Sequence, residues 1–263
     1  MKQIPNLFTL LNLVFGCLAI IFILQTSETI AYVDTLGFLQ VNLPEKIVWG
    51  SLFIFGAAII DFLDGFVARL FKATSAMGKQ LDSLADVVSF GVAPGLILYQ
   101  LLRISFAQDQ DGLQVSFILL LPALIIPCAT AWRLAKFNLD DSQQYEFKGL
   151  PCPAAGLFIA SLPLIIFYQT LSLQFLLINK WVIYAIILLM SYLMVSNIYM
   201  SSLKFKDLSI KNNLSKIILL VIGIIAAIFL KWLAVPLVLL CYIALSLFFK
   251  PSSHFNKKIV DNV

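Results

Sequence analysis

The sequence predicts an all-α polytopic membrane protein of about eight transmembrane helices with both termini in the cytoplasm, and three observations carry that expectation. Of the 263 residues, 61% are hydrophobic and only 12% are charged, against roughly 25% charged in an average soluble domain. That composition excludes a soluble globule and a disordered chain, and the apolar residues run in continuous stretches of membrane-crossing length instead of alternating, which argues against a membrane β-barrel. The cationic residues then fall on one side of those stretches.

Apolar runs place the spans near 7–24, 47–68, 82–101, 115–135, 153–172, 181–200, 215–230 and 233–249. At about 20 residues per crossing, eight spans use about 160 residues and leave only short connectors, so residues 1–263 read as a single membrane domain. The first run opens within Ile4-Pro5-Asn6 and has no small-x-small cleavage site at its end, Leu24-Gln25-Thr26-Ser27-Glu28. It reads as a retained span, not a secretory signal. The final two runs are short, which leaves one re-entrant hairpin as the alternative to two spans.

With the N-terminus inside, the cytoplasmic cations are Lys2; Arg69, Lys72 and Lys79; Arg133, Lys136 and Lys148; Lys204, Lys206, Lys211 and Lys216; and Lys250, Lys257 and Lys258. Only Lys46, Arg103, Lys180 and Lys231 lie outside. This bias predicts a cytoplasmic (inner) membrane protein. The net charge of +4 is sided toward a membrane surface and gives no reason to expect nucleic acid.

Cys17, Cys128, Cys152 and Cys241 lie far apart in apolar surroundings, with no C-x-x-C pair and no disulfide frame. The single histidine, His254, sits in the polar C-terminal tail. Chemistry must therefore rest on carboxylates, hydroxyls, amides and cations.

Carboxylates are concentrated around the turn between the second and third spans, in Asp61-x2-Asp64-Gly65-x2-Ala68-Arg69-x8-Gly78-x3-Asp82-x3-Asp86. At about 100° per residue, Asp61, Asp64, Gly65 and Ala68 share one helical face, and Gly78, Asp82 and Asp86 share another. Each mid-membrane aspartate costs about 2.5–3.5 kcal/mol on insertion scales, so hydrophobicity does not account for four. Converging carboxylates also repel unless a cation lies between them. Oxygen-only ligands favour Mg²⁺, Mn²⁺ or Ca²⁺, whereas Zn²⁺ would normally draw His or Cys. A paired metal centre at a membrane surface suits displacement at phosphorus. Helix-end hydrogen bonds or salt bridges to Arg69, Lys72 and Lys79 would explain an aspartate singly, and a cation- or proton-coupled transporter would also use intramembrane acids.

The string matches all eight fixed positions of the CDP-alcohol phosphatidyltransferase signature, and the chain is identified by that resemblance as a member of the family. The resemblance implies two divalent ions, Mg²⁺ or Mn²⁺, and a CDP-linked lipid. By it, Asp61 and Asp82 bridge the metals, Asp64 completes one shell, and Asp86 ligates the other ion and takes the proton of the acceptor hydroxyl. Gly65, Ala68, Arg69, Ser75 and Gly78 would surround the cytidine diphosphate. The family likeness also implies a homodimer.

Three further stretches resemble the family's phosphatidylserine synthase subgroup. The first is Pro5-Asn6-x2-Thr9-x2-Asn12-x3-Gly16, in which Asn6 and Thr9 offer polar atoms to the nucleotide pocket. The second is Arg133-Leu-Ala-Lys136-Phe-Asn138 with Phe147-Lys148-Gly149-Leu150-Pro151-Cys152-Pro153-Ala154-Ala155-Gly156. The third is Met194-Val195-Ser196-Asn197, followed by Ser202 and Lys204. The likeness spans about 4–207, a catalytic core to which two helices at about 215–249 are added. A serine zwitterion needs cations or amides for its carboxylate, and Arg133, Lys136, Asn138 and Lys148 are the candidates. The implied reaction is transfer of a phosphatidyl group from CDP-diacylglycerol to L-serine, releasing CMP. Glycerol 3-phosphate or an inositol derivative as acceptor stays open.

Overall fold

A computed structural model of the chain describes residues 4–25, 31–33, 39–41, 43, 45–70, 75–108, 115–139, 147–169, 173–200 and 214–248. Lys2, Lys72, Lys204, Lys206, Lys211, Lys250, His254, Lys257 and Lys258 lie outside the described residues, as do the side chains of Arg69 and Lys216.

The described residues are almost all helical. Helix α1, Ile4–Leu24, begins with Pro5 in its first turn, where a missing N–H costs nothing. A small hairpin of β1 (Ala31–Val33) and β2 (Leu39–Val41) follows, pairing Ala31 with Val41. Helix α2 runs from Glu45 to Leu70. Helix α3, Ala76–Val87, is capped by Ser75, whose hydroxyl accepts from the Gly78 N–H at 3.0 Å. One π-helical turn, Val88–Val92, joins it to α4, Ala93–Ala107. Residues 76–107 thus form one 32-residue apolar run, about 48 Å long and longer than the ~30 Å hydrocarbon layer. The third span is therefore longer at both ends than 82–101.

The fourth span differs in kind from the expectation. It starts as 3₁₀ segments, Phe117–Leu119 and Leu121–Leu124, and becomes α-helical only in α5, Ile125–Leu139. Leu119 N–H bonds Ser116 O and Leu120 N–H bonds Phe117 O in the tighter pattern of a 3₁₀ turn, and Pro122, which has no N–H to donate, falls in the second segment. Strand β3 (Phe147–Lys148) leads into α6, Cys152–Phe167. A short α7, Gln174–Leu177, precedes α8, Lys180–Val195, and β4 (Tyr199–Met200) then pairs with β3. Gly149, at φ +80°, turns the chain so that its N–H reaches Ile198 O at 2.9 Å, while Leu150 N–H reaches Leu193 O at 2.9 Å. A Cβ there would stand 2.5 Å from Met194 O, so only glycine fits the end of α8.

Helices α9 (Leu214–Leu230) and α10 (Ala234–Phe248) complete the described chain. They fold back on each other at Lys231, φ +50°, so that a Cβ on Gly223 would meet Val238 Cγ2 at 3.5 Å. Two residues fifteen apart in a continuous helix would be separated by about 22 Å, so the final apolar run is a helical hairpin.

Pro5–Leu24, Lys46–Ala68, Ala76–Ala107 and Leu219–Ser246 are apolar runs of membrane-crossing length, and Cys152–Phe167 and Lys180–Val195 are shorter apolar helices. These mark an integral membrane protein. Around the buried Phe90 of the π turn, three glycine contacts bring helices close. A Cβ on Gly16 would lie 2.4 Å from Ser89 Oγ, one on Gly91 3.0 Å from Thr130, and one on Gly156 3.1 Å from Phe90. Helices α1, α5 and α6 therefore close directly on the segment that follows Asp86.

Candidate active site

Three elements meet at one end of the bundle. Helix α1 carries Pro5, Asn6, Thr9, Asn12 and Gly16 at spacings of one, three and four residues, which places the last four on one face. The last turns of α2 carry Asp61, Asp64, Gly65 and Ala68, and α3, capped by Ser75, presents Gly78, Asp82 and Asp86.

One carboxylate oxygen from each of Asp61, Asp64 and Asp82 lies within 4.8 Å of the other two. Asp64 is buried, and its Oδ2 accepts from Thr9 Oγ1 at 2.9 Å; the same hydroxyl lies 3.2 Å from Pro5 O. Asp82 Oδ1 is buried without a hydrogen-bond partner. Three acids turned toward one another, with an acceptor left unsatisfied, fit a shared hard cation. Asp86 lies one helical turn beyond Asp82, outside this group of three, buried, with its Oδ1 accepting from Asn12 Nδ2 at 3.4 Å. It remains within electrostatic reach of Asp61, Asp64 and Asp82.

Beside the acids lies a cavity of about 500 Å³. Asn6, Thr9, Gly65, Ala68, Ser75 and Gly78, all singled out in the sequence, line it together with Asp64 and Asp82. A Cβ on Gly65 would meet nothing within 4 Å, so the helix backbone is bare toward open space. Gly78 packs closely: a Cβ on it would stand 3.0 Å from Asn6 Oδ1 and 3.1 Å from Ser75 Oγ. The start of α3 forms part of the wall, and peptide N–H groups at a helix start favour phosphate. The side chain of Arg69 falls outside the described residues.

The four acceptor candidates stand elsewhere. None lines that cavity. Arg133 on α5 is buried; its Nη1 donates to Cys152 Sγ at 3.3 Å and its Nε has no partner. Lys136 Nζ donates to Asn197 Oδ1. Lys148 pairs through β3 with Tyr199. Asn138 faces α3 instead, donating to Ser83 Oγ at 2.8 Å while its carbonyl accepts from Lys79 at 3.3 Å.

Sequence reasoning counted Lys79, which lines the cavity, only as a cytoplasmic cation and a salt-bridge partner, and gave no site role to Asn12 and Cys152, which touch Asp86 and Arg133. Asn12 was detectable as the next three-residue step after Thr9; Cys152 was not, because its contact joins α5 to α6.

The family model for CDP-alcohol phosphatidyltransferase matches residues 2–196, ending before α9 and α10. A CDP-diacylglycerol–serine O-phosphatidyltransferase of Bacillus subtilis (strain 168) is 32% identical over 185 residues, covering 68% of this chain and 89% of that protein. One of the same name from Helicobacter pylori (strain J99) is 35% identical over 157 residues, 59% of this chain and 54% of its own. An archaetidylserine synthase of Methanothermobacter thermautotrophicus is 39% identical over 124 residues, 46% of this chain and 49% of its own.

Proposed function

Because the chain belongs to the CDP-alcohol phosphatidyltransferase family, we propose that it transfers the phosphatidyl group of CDP-diacylglycerol to the hydroxyl of L-serine, giving phosphatidylserine and CMP. The observation that carries this reading is the meeting of Asp61, Asp64 and Asp82 oxygens within 4.8 Å against a cavity whose wall includes a helix start and the bare backbone of Gly65.

Asp61, Asp64 and Asp82, with Asp86, would hold two divalent ions, Mg²⁺ or Mn²⁺. Bound there, the ions would offset the charge of the pyrophosphate and of the departing phosphate oxygen. The remaining work falls to the chain itself. Asn6, Thr9, Ala68, Ser75 and Gly78 line the space for the cytidine diphosphate, and Lys79 with Arg69 supplies positive charge for its phosphates. Asp86 accepts the proton of the serine hydroxyl as the new oxygen–phosphorus bond forms. The bond from phosphorus to the CMP oxygen breaks in the same displacement, with no covalent enzyme intermediate. Arg133, Lys136, Lys148 and Asn138 serve the serine side of the site, Arg133 offering its unpartnered Nε to the carboxylate.

The reading extends to placement. The siding of the cationic residues along the sequence supports eight crossings with both termini and the site on the cytoplasmic side of the inner membrane. The chain would act as one domain and as a homodimer. The deciding assay supplies purified protein with CDP-diacylglycerol, divalent metal and a panel of alcohols, and identifies products by mass spectrometry. Serine-dependent CMP release with phosphatidylserine as product is expected. An active preparation that uses glycerol 3-phosphate or an inositol derivative and ignores serine would overturn the acceptor assignment.

A further inference from the structure

Asn12 is completely buried and sits between α1 and α3, with Nδ2 donating to Asp86 Oδ1 at 3.4 Å. Its own Oδ1 is buried and has no hydrogen-bond partner. For packing alone this is a poor choice of residue. Leucine has nearly the same shape and would remove the unsatisfied Oδ1, but it would take the donor away from Asp86 Oδ1, which is buried. The amide is retained where its donor meets one particular oxygen.

The backbone of α1 is fixed at this level by two further contacts. Ser89 Oγ donates to the carbonyl of Asn12 at 3.1 Å. One turn on, Gly16 packs so tightly that a Cβ would come within 2.4 Å of Ser89 Oγ and 3.0 Å of Ser89 Cα. Ser89 belongs to the π turn Val88–Val92, which starts two residues after Asp86. Single π turns within α-helices recur at functional sites. Here the turn gives α1 a hydroxyl and a close backbone surface to seat against, so the height of Asn12 beside Asp86 is set by contacts at Asn12 itself and one turn beyond it.

We infer that Asn12 is a positioning residue for the transfer: its N–H holds Asp86 Oδ1 and fixes the rotation of the carboxylate that receives the proton of the attacking hydroxyl. The inference rests on the reading of Asp86 as proton acceptor given above. Asn12 does not line the substrate cavity, so it acts through Asp86 and not on the CDP-lipid.

The test compares Asn12→Leu, which keeps the volume and removes the donor, with Asn12→Ala, which removes the donor and relieves any packing conflict. Both are measured in the full-length protein in detergent, alongside Asp86→Asn. CMP release gives kcat and the KM for CDP-diacylglycerol, Mn²⁺ titration followed by electron paramagnetic resonance gives metal affinity, and a melting curve reports folding. The expected result is a kcat lowered about ten- to a hundredfold in every folded Asn12 variant, with the CDP-diacylglycerol KM and Mn²⁺ affinity changed less than about threefold. A folded Asn12→Leu or Asn12→Ala enzyme with kcat close to the parent overturns the inference. So does a loss of kcat that comes with an equal loss of Mn²⁺ binding, or failure of both variants to fold, since either makes Asn12 a structural support. Full activity in Asp86→Asn would instead remove the reading of Asp86 itself, which separates the two failures.

Discussion

The hydroxyl of Thr9 donates to Asp64 Oδ2 at 2.9 Å, joining the first turns of α1 to the last turns of α2 inside the acidic cluster. Thr9 also lies 3.2 Å from the Pro5 carbonyl, so its rotamer is restricted from its own helix while it holds the acid of another. Thr9→Val preserves the branched shape and removes the hydrogen bond to a charged group, worth about 1.5–3 kcal/mol. The expected outcome is a kcat/KM reduced about ten- to a hundredfold, with Thr9→Ser recovering most of it. CMP-release kinetics on the two variants check this.

Removal of divalent metal is expected to stop turnover completely and reversibly. Because an ion bound only by the folded state raises stability by mass action, Mg²⁺ or Mn²⁺ should also raise the melting temperature of the parent protein. In Asp61→Asn and Asp82→Asn that metal-dependent rise should vanish, and turnover should fall by about three orders of magnitude. A folded Asp61→Asn protein with near-parent turnover would contradict the metal assignment.

Gly65 separates stability from function. It lies inside α2, where alanine is favoured over glycine by about 0.8–1.0 kcal/mol, and its Cβ would meet nothing within 4 Å. Gly65→Ala should therefore melt no lower than the parent. The same methyl group enters the cavity that Gly65 lines, so the KM for CDP-diacylglycerol is expected to rise about tenfold. A melting curve and substrate titration on the same sample decide the point.

Arg133 is a buried guanidinium that donates to a thiol, Cys152 Sγ at 3.3 Å, with Nε unsatisfied. Arg133→Lys keeps the charge but loses the planar fork that matches a carboxylate. The KM for serine should rise about tenfold while the KM for CDP-diacylglycerol stays near the parent value. A rise in both would place Arg133 outside the acceptor side of the site.

Several features were legible along the chain because they depend on local spacing. The acids fall on common faces of α2 and α3 because 100° per residue aligns positions three and four apart. The family resemblance, not spacing, put Asn6, Thr9, Ser75 and Gly78 near the nucleotide, and the structure brings these four to the wall of one cavity. Apolar length gave the helices, with the third run longer than expected and the fourth partly 3₁₀.

Other features depended on packing between segments far apart in sequence. Nothing in the residue spacing placed a π turn at Val88–Val92, a pairing of β3 with β4, or a thiol against Arg133. Periodicity states which side chains share a face; it does not state which face of another helix they meet, or how deep. The sequence by itself determined that this is a helical membrane protein with four aspartates aligned on two segments. The tertiary structure decided that three of them converge, while the fourth stands one turn away in the grip of Asn12. The convergence arises because α2 and α3 are both held against α1, by Thr9 with Asp64 and by Asn12 with Asp86, and the height of one helix against another is a quantity that no single helix encodes.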